Sequence, residues 1–70
     1  MKTADLNKGD YFKTNNDPET VYAIVEQLNN DLCKVININT DMYVHLFLNV
    51  EVSAVLTEEE KEAVNDFYGI

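Results

Sequence analysis

The sequence predicts a mainly β fold, with five short antiparallel strands curled into a partly open barrel and a short α-helix at the C-terminal end. Three observations carry this. The apolar residues between Val21 and Leu56 come in short runs, VYAIV, LCKVINI and MYVHLFLNVEVSAVL, rich in side chains that are stiff at χ1 and pack well on a pleated surface. Turn-forming residues separate the runs at Leu28-Asn29-Asn30-Asp31 and Asn39-Thr40-Asp41. After Leu56 the pattern changes from strand to helix.

The elements follow in order. Met1 to Lys8 is polar, with Leu6 its only large apolar residue after the first. Asp10 to Thr14 is the first strand; Tyr11 and Phe12 point to opposite faces, so one anchors the core and the other covers a rim. Asn15-Asn16-Asp17-Pro18-Glu19 is a loop, because Pro18 fixes its own φ and pushes Asp17 out of the α region. Val21 to Gln27 is apolar on both faces, which requires a curled sheet or a covered second face. Leu32 to Ile38 and Met42 to Leu48 are the next strands. Asn49 marks a corner before Val50 to Leu56. Thr57-Glu58-Glu59-Glu60 reads as a capping box, with Thr57 as N-cap and Glu60 at the third helical position. Ala63, Val64 and Phe67 supply an apolar stripe, so a helix is expected over about 58–67, fraying into Tyr68-Gly69-Ile70.

Seventy residues form one domain, 1–70, and a chain this small buries only about 60% of the surface its unfolded form exposes. A second copy is the simplest source of further burial, so a homodimer is an expected assembly. The single cysteine, Cys33, leaves no partner for an internal disulfide and no cysteine metal cluster. No basic leader precedes an apolar segment, and no run approaches the roughly 20 residues a bilayer needs. A cytoplasmic location follows as the expectation. Thirteen Asp and Glu against five Lys and no Arg give a net charge of −8. Direct nucleic-acid binding and attachment to anionic membranes are disfavoured by that sign.

Catalytic chemistry is sparse. His45 sits alone inside a strand, and Cys33 reads as a small buried thiol. Gly9 and Gly69 are the only glycines, so there is no phosphate-cradling loop. Glu58, Glu59, Glu60 and Glu62 lack the spacing of a calcium loop. An enzyme is not expected, nor a cofactor or metal site.

The stretch Lys8-Gly9-Asp10-Tyr11-Phe12, followed by a Pro-containing loop and Val21-Tyr22, resembles the opening of small SH3-like proteins from phages and their bacterial hosts. That resemblance implies an SH3-like, partly open barrel. An OB-like barrel, or a sheet with the helix laid across one face, is the alternative.

The acids cluster where such a fold has edges. The candidate partner-binding residues are Asp10, Asp17, Glu19, Asp31, Asp41, Glu51, Glu58, Glu59, Glu62 and Asp66. Solubility explains any one of them, but the whole set costs stability through self-repulsion. A domain of this size has a radius of gyration of about 11 Å and a diameter of roughly 28 Å. Duplex DNA of that length carries about 16 phosphate charges. Eight net charges gathered on one face, or doubled in a dimer, approach that density. In size, charge and lack of catalytic residues the whole sequence resembles the small DNA-mimic proteins that phages make early in infection. The resemblance implies an acidic inhibitor that occupies the basic DNA-binding surface of a host nucleic-acid-binding protein. Targets of that class include the nucleoid protein HU, restriction enzymes, CRISPR nucleases and uracil-DNA glycosylase, and HU's long basic arms suit a dimeric acidic partner best. The alternative is an SH3-like protein-interaction adaptor using an aromatic patch of Tyr11, Phe12, Tyr22, Tyr43 and Phe47.

Overall fold

The β-branched runs form the strands, as a computed structural model of residues 1–70 shows. They are β1 (Tyr11–Thr14), β2 (Tyr22–Gln27), β3 (Leu32–Asn37), β4 (Met42–Phe47) and β5 (Val52–Val55), followed by α1 (Glu58–Tyr68). All neighbours pair antiparallel in one sheet of order β4-β3-β2-β1-β5. The fold class expected from the sequence is the one observed: five antiparallel strands in an unclosed sheet, with one C-terminal helix.

Chain length makes the sheet curl. β4 and β5 are its two edges, and in a flat sheet they would stand about 19 Å apart, four strand spacings. The link from Phe47 to Val52 spans at most roughly 17 Å fully extended, and its first two residues are folded into a turn. Phe47 pairs with Leu32 and Val52 with Thr14, at opposite ends of the strands, so the sheet must coil until those two corners meet. Bulges assist: the register slips between Ile24 and Glu26 on β2 and between Lys13 and Thr14 on β1.

Both faces of the central β2–β3 pair are apolar, and each has its own cover. On the concave face Phe12, Ile24, Cys33, Val35 and Val52 are buried together, with Leu6, Tyr22, Leu46 and Leu48 against them. Phe12 and Val35 are fully buried. On the other face Val21, Ala23 and Ile38 pack with Tyr11, Ile36, Leu56 and Val64. The helix covers this second face: Val64 enters that cluster, and the Tyr11 hydroxyl donates to Asn65 Oδ1 at 2.7 Å. Tyr11 and Phe12 thus serve opposite faces, as strand alternation requires.

Three local outcomes go beyond or against expectation: first, of the expected stripe Ala63, Val64 and Phe67 only Val64 packs on the sheet, while Ala63 and Phe67 are exposed. The polar N-terminal stretch is structural: Thr3 is buried in a 3-10 turn (Thr3–Asp5) and its hydroxyl donates to the Phe47 carbonyl at 2.6 Å. The Thr3 and Ala4 amides donate to the Val50 and Leu48 carbonyls, so this segment seals the β4–β5 link. The helix also does not fray at residue 68. Gly69 adopts φ 72° and ends it with a left-handed cap, a conformation that costs glycine little.

Phe12→Ala removes a fully buried ring, a loss of about 3–5 kcal/mol that lowers the melting temperature by at least about 12 °C in thermal unfolding. Tyr11→Phe removes only the hydroxyl that holds Asn65. It costs about 1 kcal/mol, or roughly 4–8 °C, and accelerates amide exchange along α1 while leaving the sheet protected.

Candidate acidic interface

The first turn of α1 is fixed by its cap. The Glu60 amide donates to Thr57 Oγ1 at 3.2 Å, and the Thr57 amide donates to Glu60 Oε1 at 2.9 Å. The reciprocal pair satisfies donors that no helical carbonyl can reach, and three glutamates meet the positive end of the helix dipole. The inner side of the helix carries Lys61, Val64 and Asn65, all partly buried. The turn of 100° per residue therefore places Glu58, Glu59, Glu62 and Asp66 together on the outer side, where all four are exposed.

Lys61 does not neutralise this stripe. Its stem is drawn inward, with Nζ 5.1 Å from the centre of the Tyr11 ring, and it reaches one acid only, Glu58, at 3.7 Å. Glu59, Glu62 and Asp66 have no basic partner within ion-pair distance. Glu60 is excluded for a different reason: its carboxylate is committed to the cap.

The ten acids chosen from the sequence separate into groups. Glu58, Glu59, Glu62 and Asp66 form the helix stripe. Asp17, Glu19 and Asp41 share the end of the sheet at which the β1–β2 and β3–β4 loops are stitched together, the Val21 amide donating to Asn39 Oδ1 at 3.1 Å. The helix points toward this end, where a groove is lined by Ile38 to Asp41 on one side and Tyr68 to Ile70 on the other. Asp10 precedes β1 beside the start of the helix, since the Leu56 amide donates to the Tyr11 carbonyl, and it accepts from the Asn7 amide at 2.8 Å.

Asp31 and Glu51 stand apart from these. Asp31 lies in the β2–β3 turn at the far end, facing a groove with Lys2, Asn30 and Phe47. Glu51 is bridged to Lys2 and lies 3.8 Å from the Met1 amino group. Hydrogen bonding from Lys2 holds its carboxyl below the usual range. The structure therefore does not bring Glu51 to the stripe as a free charge.

The aromatic residues do not form the single patch expected of an adaptor. Phe12 is fully buried, Tyr22 packs against it with ring centres 5.8 Å apart, and Tyr11 lies beneath the helix. Of the five expected in that patch only Tyr43 and Phe47 are exposed, both on β4, while the other exposed aromatics, Phe67 and Tyr68, lie on the helix. Cys33 is buried beside the Leu46 carbonyl, and desolvation pushes its thiol up, away from nucleophilic character. No group of three or more His, Cys, Asp or Glu side chains is arranged to hold a metal ion, and no helix is long and apolar enough to cross a membrane.

The inward fold of Lys61 and the bond from Tyr11 to Asn65 were missed in the sequence. Val64 was the one signal: the apolar residues pointed to a face with Ala63 and Phe67, both of which are exposed, and nothing in the types of Lys61 and Asn65 marks their side as the inner one. Compared with protein-family profiles, curated proteins and solved structures, the chain matches none of them.

The Glu60 carboxyl is held below its ordinary value of 4.5, first by the Thr57 backbone amide and then by its hydroxyl. A lowered carboxyl stabilises the fold while it is ionised and loses that contribution as pH falls through its folded value. The melting-temperature gap between the native chain and Glu60→Gln should therefore be constant near neutrality and close below about pH 4.5.

Proposed function

We propose that this chain is an acidic mimic of DNA whose helix α1 stands in for one phosphate backbone. The observation that carries the reading is the outer stripe of Glu58, Glu59, Glu62 and Asp66. Eight residues of helix separate its ends, about 12 Å, and its four carboxylates fall at successive rises of about 1.5, 4.5 and 6 Å, a mean of about 4 Å along the axis. One strand of duplex DNA presents a phosphate about every 3.4 Å. The match is in mean linear charge density along one exposed ridge, on which only Glu58 has a lysine partner.

Beyond the ridge, Asp41, Asp17 and Glu19 continue the negative potential at the end of the sheet toward which the helix points. The long axis of the molecule is 33 Å and its radius of gyration 11.2 Å, dimensions that suit a basic groove built for a duplex. The partner is then a nucleic-acid-binding protein of opposite charge, and a nucleoid protein with flexible basic arms, such as HU, suits a narrow acidic ridge. Binding works by exchange: the basic side chains release condensed counterions and water to the carboxylates as they would to phosphates, and the DNA site is blocked. The adaptor reading is weakened by the burial of Phe12 and Tyr11, which leaves no five-residue aromatic groove.

The experiment is capture from a bacterial lysate on the immobilised chain, with excess duplex DNA as competitor. Basic DNA-binding proteins should be retained and released by the duplex; retention of only acidic or neutral proteins indifferent to DNA would remove the reading. For a captured partner, Glu62→Lys with Asp66→Lys should lower affinity at least about tenfold at low salt and flatten its salt dependence. Both residues lie beyond the first turn, so the cap is untouched, and Asp31→Lys at the far end serves as the control that changes affinity little.

A further inference from the structure

The sheet has two edges and treats them differently. At the β5 edge the N-terminal segment is paired on: the Val52 amide donates to the Met1 carbonyl at 2.8 Å, and Lys2 bridges to Glu51. The β4 edge has no such cover. Met42, Tyr43, Val44 and Phe47 are all exposed, and β4 pairs with β3 without a bulge from Leu32↔Phe47 to Asn37↔Met42. Protein edges are normally blunted by Lys, Pro, a bulge or a covering segment, and β4 has none of these. It also lies in one of the two longest acid-free stretches of the chain: residues 42–50, like 32–40, contain neither Asp nor Glu in a chain that has thirteen.

The register fixes what a partner strand would meet. The Leu48 amide donates to the Asp31 carbonyl, so by antiparallel alternation Met42, Val44 and Leu46 bond toward β3. Tyr43, His45 and Phe47 then turn their amides and carbonyls outward. The Phe47 carbonyl is already taken by the Thr3 hydroxyl. The two complete sets of free groups are those of Tyr43 and His45.

We propose that β4 is a homodimerisation edge, at which two copies join antiparallel about a two-fold axis at Val44. In that register Tyr43 of one copy faces His45 of the other, and the two residues exchange both of their backbone hydrogen bonds on either side of the axis. Met42 faces Leu46, and Val44 faces its own counterpart in a close, non-hydrogen-bonded pair. A two-fold centred at His45 instead would set Tyr43 against Phe47, whose carbonyl is occupied. The occupant is a second copy because β4 carries no Asp, Glu, Lys or Arg of its own, the one nearby charge being the Lys34 ammonium over the face of the Tyr43 ring, and because the edge is self-complementary under a two-fold. The monomer also lacks other reinforcement: only eight apolar residues are buried, Cys33 is unpaired and no metal cluster exists.

This inference stands apart from mimicry, and salt separates the two. Two bodies of net charge −8 repel, so raising salt strengthens the dimer, whereas it weakens attachment to a basic partner.

The test is sedimentation of the whole chain at low and moderate salt. The native chain should sediment at twice its 8.0 kDa mass, more completely at moderate salt. Tyr43→Lys with Phe47→Lys, both on exposed side chains, should return it to one copy, while Phe67→Lys on the helix should not. Val44→Cys reads the register. A close antiparallel pair sets the two Cα atoms about 4.5 Å apart, within disulfide reach, so oxidised glutathione should link the copies. The native chain, whose only thiol is buried, should stay unlinked. A native chain that remains single at both salts, a dimer that survives the double lysine variant, or failure of Val44→Cys to link would each overturn the proposal.

Discussion

The constraint on which the structure depends is that the β2–β3 pair is apolar on both sides. Val35 and Ile24 need cover on one face; Ala23 and Ile36 need it on the other. A single curled sheet can cover only its concave side. The curl, forced by the short β4–β5 link, brings Phe12, Val52 and Leu48 over the first face. The second face is left to the helix, which is why α1 docks there through Val64 and Asn65 instead of standing free. That docking turns Glu58, Glu59, Glu62 and Asp66 outward. The acidic ridge is thus a product of core packing, and the order of cause runs from two-faced strands to helix to charge.

Electrostatics then separates acids that hold the fold from acids that are available. Glu60 caps the helix, Glu51 ties down Lys2, and Asp17 accepts from the Tyr22 hydroxyl at 3.2 Å. Glu60 and Glu51 are thereby committed to the fold, whereas Asp17, bonded to a neutral hydroxyl, keeps its charge. Glu59, Glu62 and Asp66 have no such use, and close spacing of like charges on one helix is mildly destabilising. Retaining them where Lys61 is folded inward and reaches only Glu58 is consistent with a partner that supplies the missing positive charge. The same separation shapes β4, where the absence of acids leaves an edge that two otherwise repelling molecules can share.

Much of the fold was legible because its signals are local. The strand runs, the turns at Asn29 to Asp31 and at Asn39 to Asp41, and the Thr57–Glu60 box each depend on neighbours in the chain. Val21 to Gln27 also announced its second covered face by being apolar at both alternations. What the sequence could not show is contact between distant segments. Thr3 is buried because Phe47 presents a carbonyl to it, and nothing in Lys2-Thr3-Ala4 signals that. The ten acids lie at loops, strand ends and the outer side of the helix. Their positions in the chain could not separate the helix stripe from Glu51, because pairing with Lys2 is made across 49 positions of chain. The aromatic patch failed likewise: Tyr11 and Phe12 are adjacent in sequence but serve opposite sides of the sheet.

The central claim, that the outer face of α1 is the binding surface, is tested most directly by mapping amide chemical shifts of the labelled chain in complex with a basic DNA-binding partner. The account predicts that the shifts concentrate at Glu58, Glu59, Glu62 and Asp66 and extend toward Asp41, and that added duplex DNA reverses them. Shifts confined to β4 or to the Asp31 turn, with α1 unmoved, would contradict it.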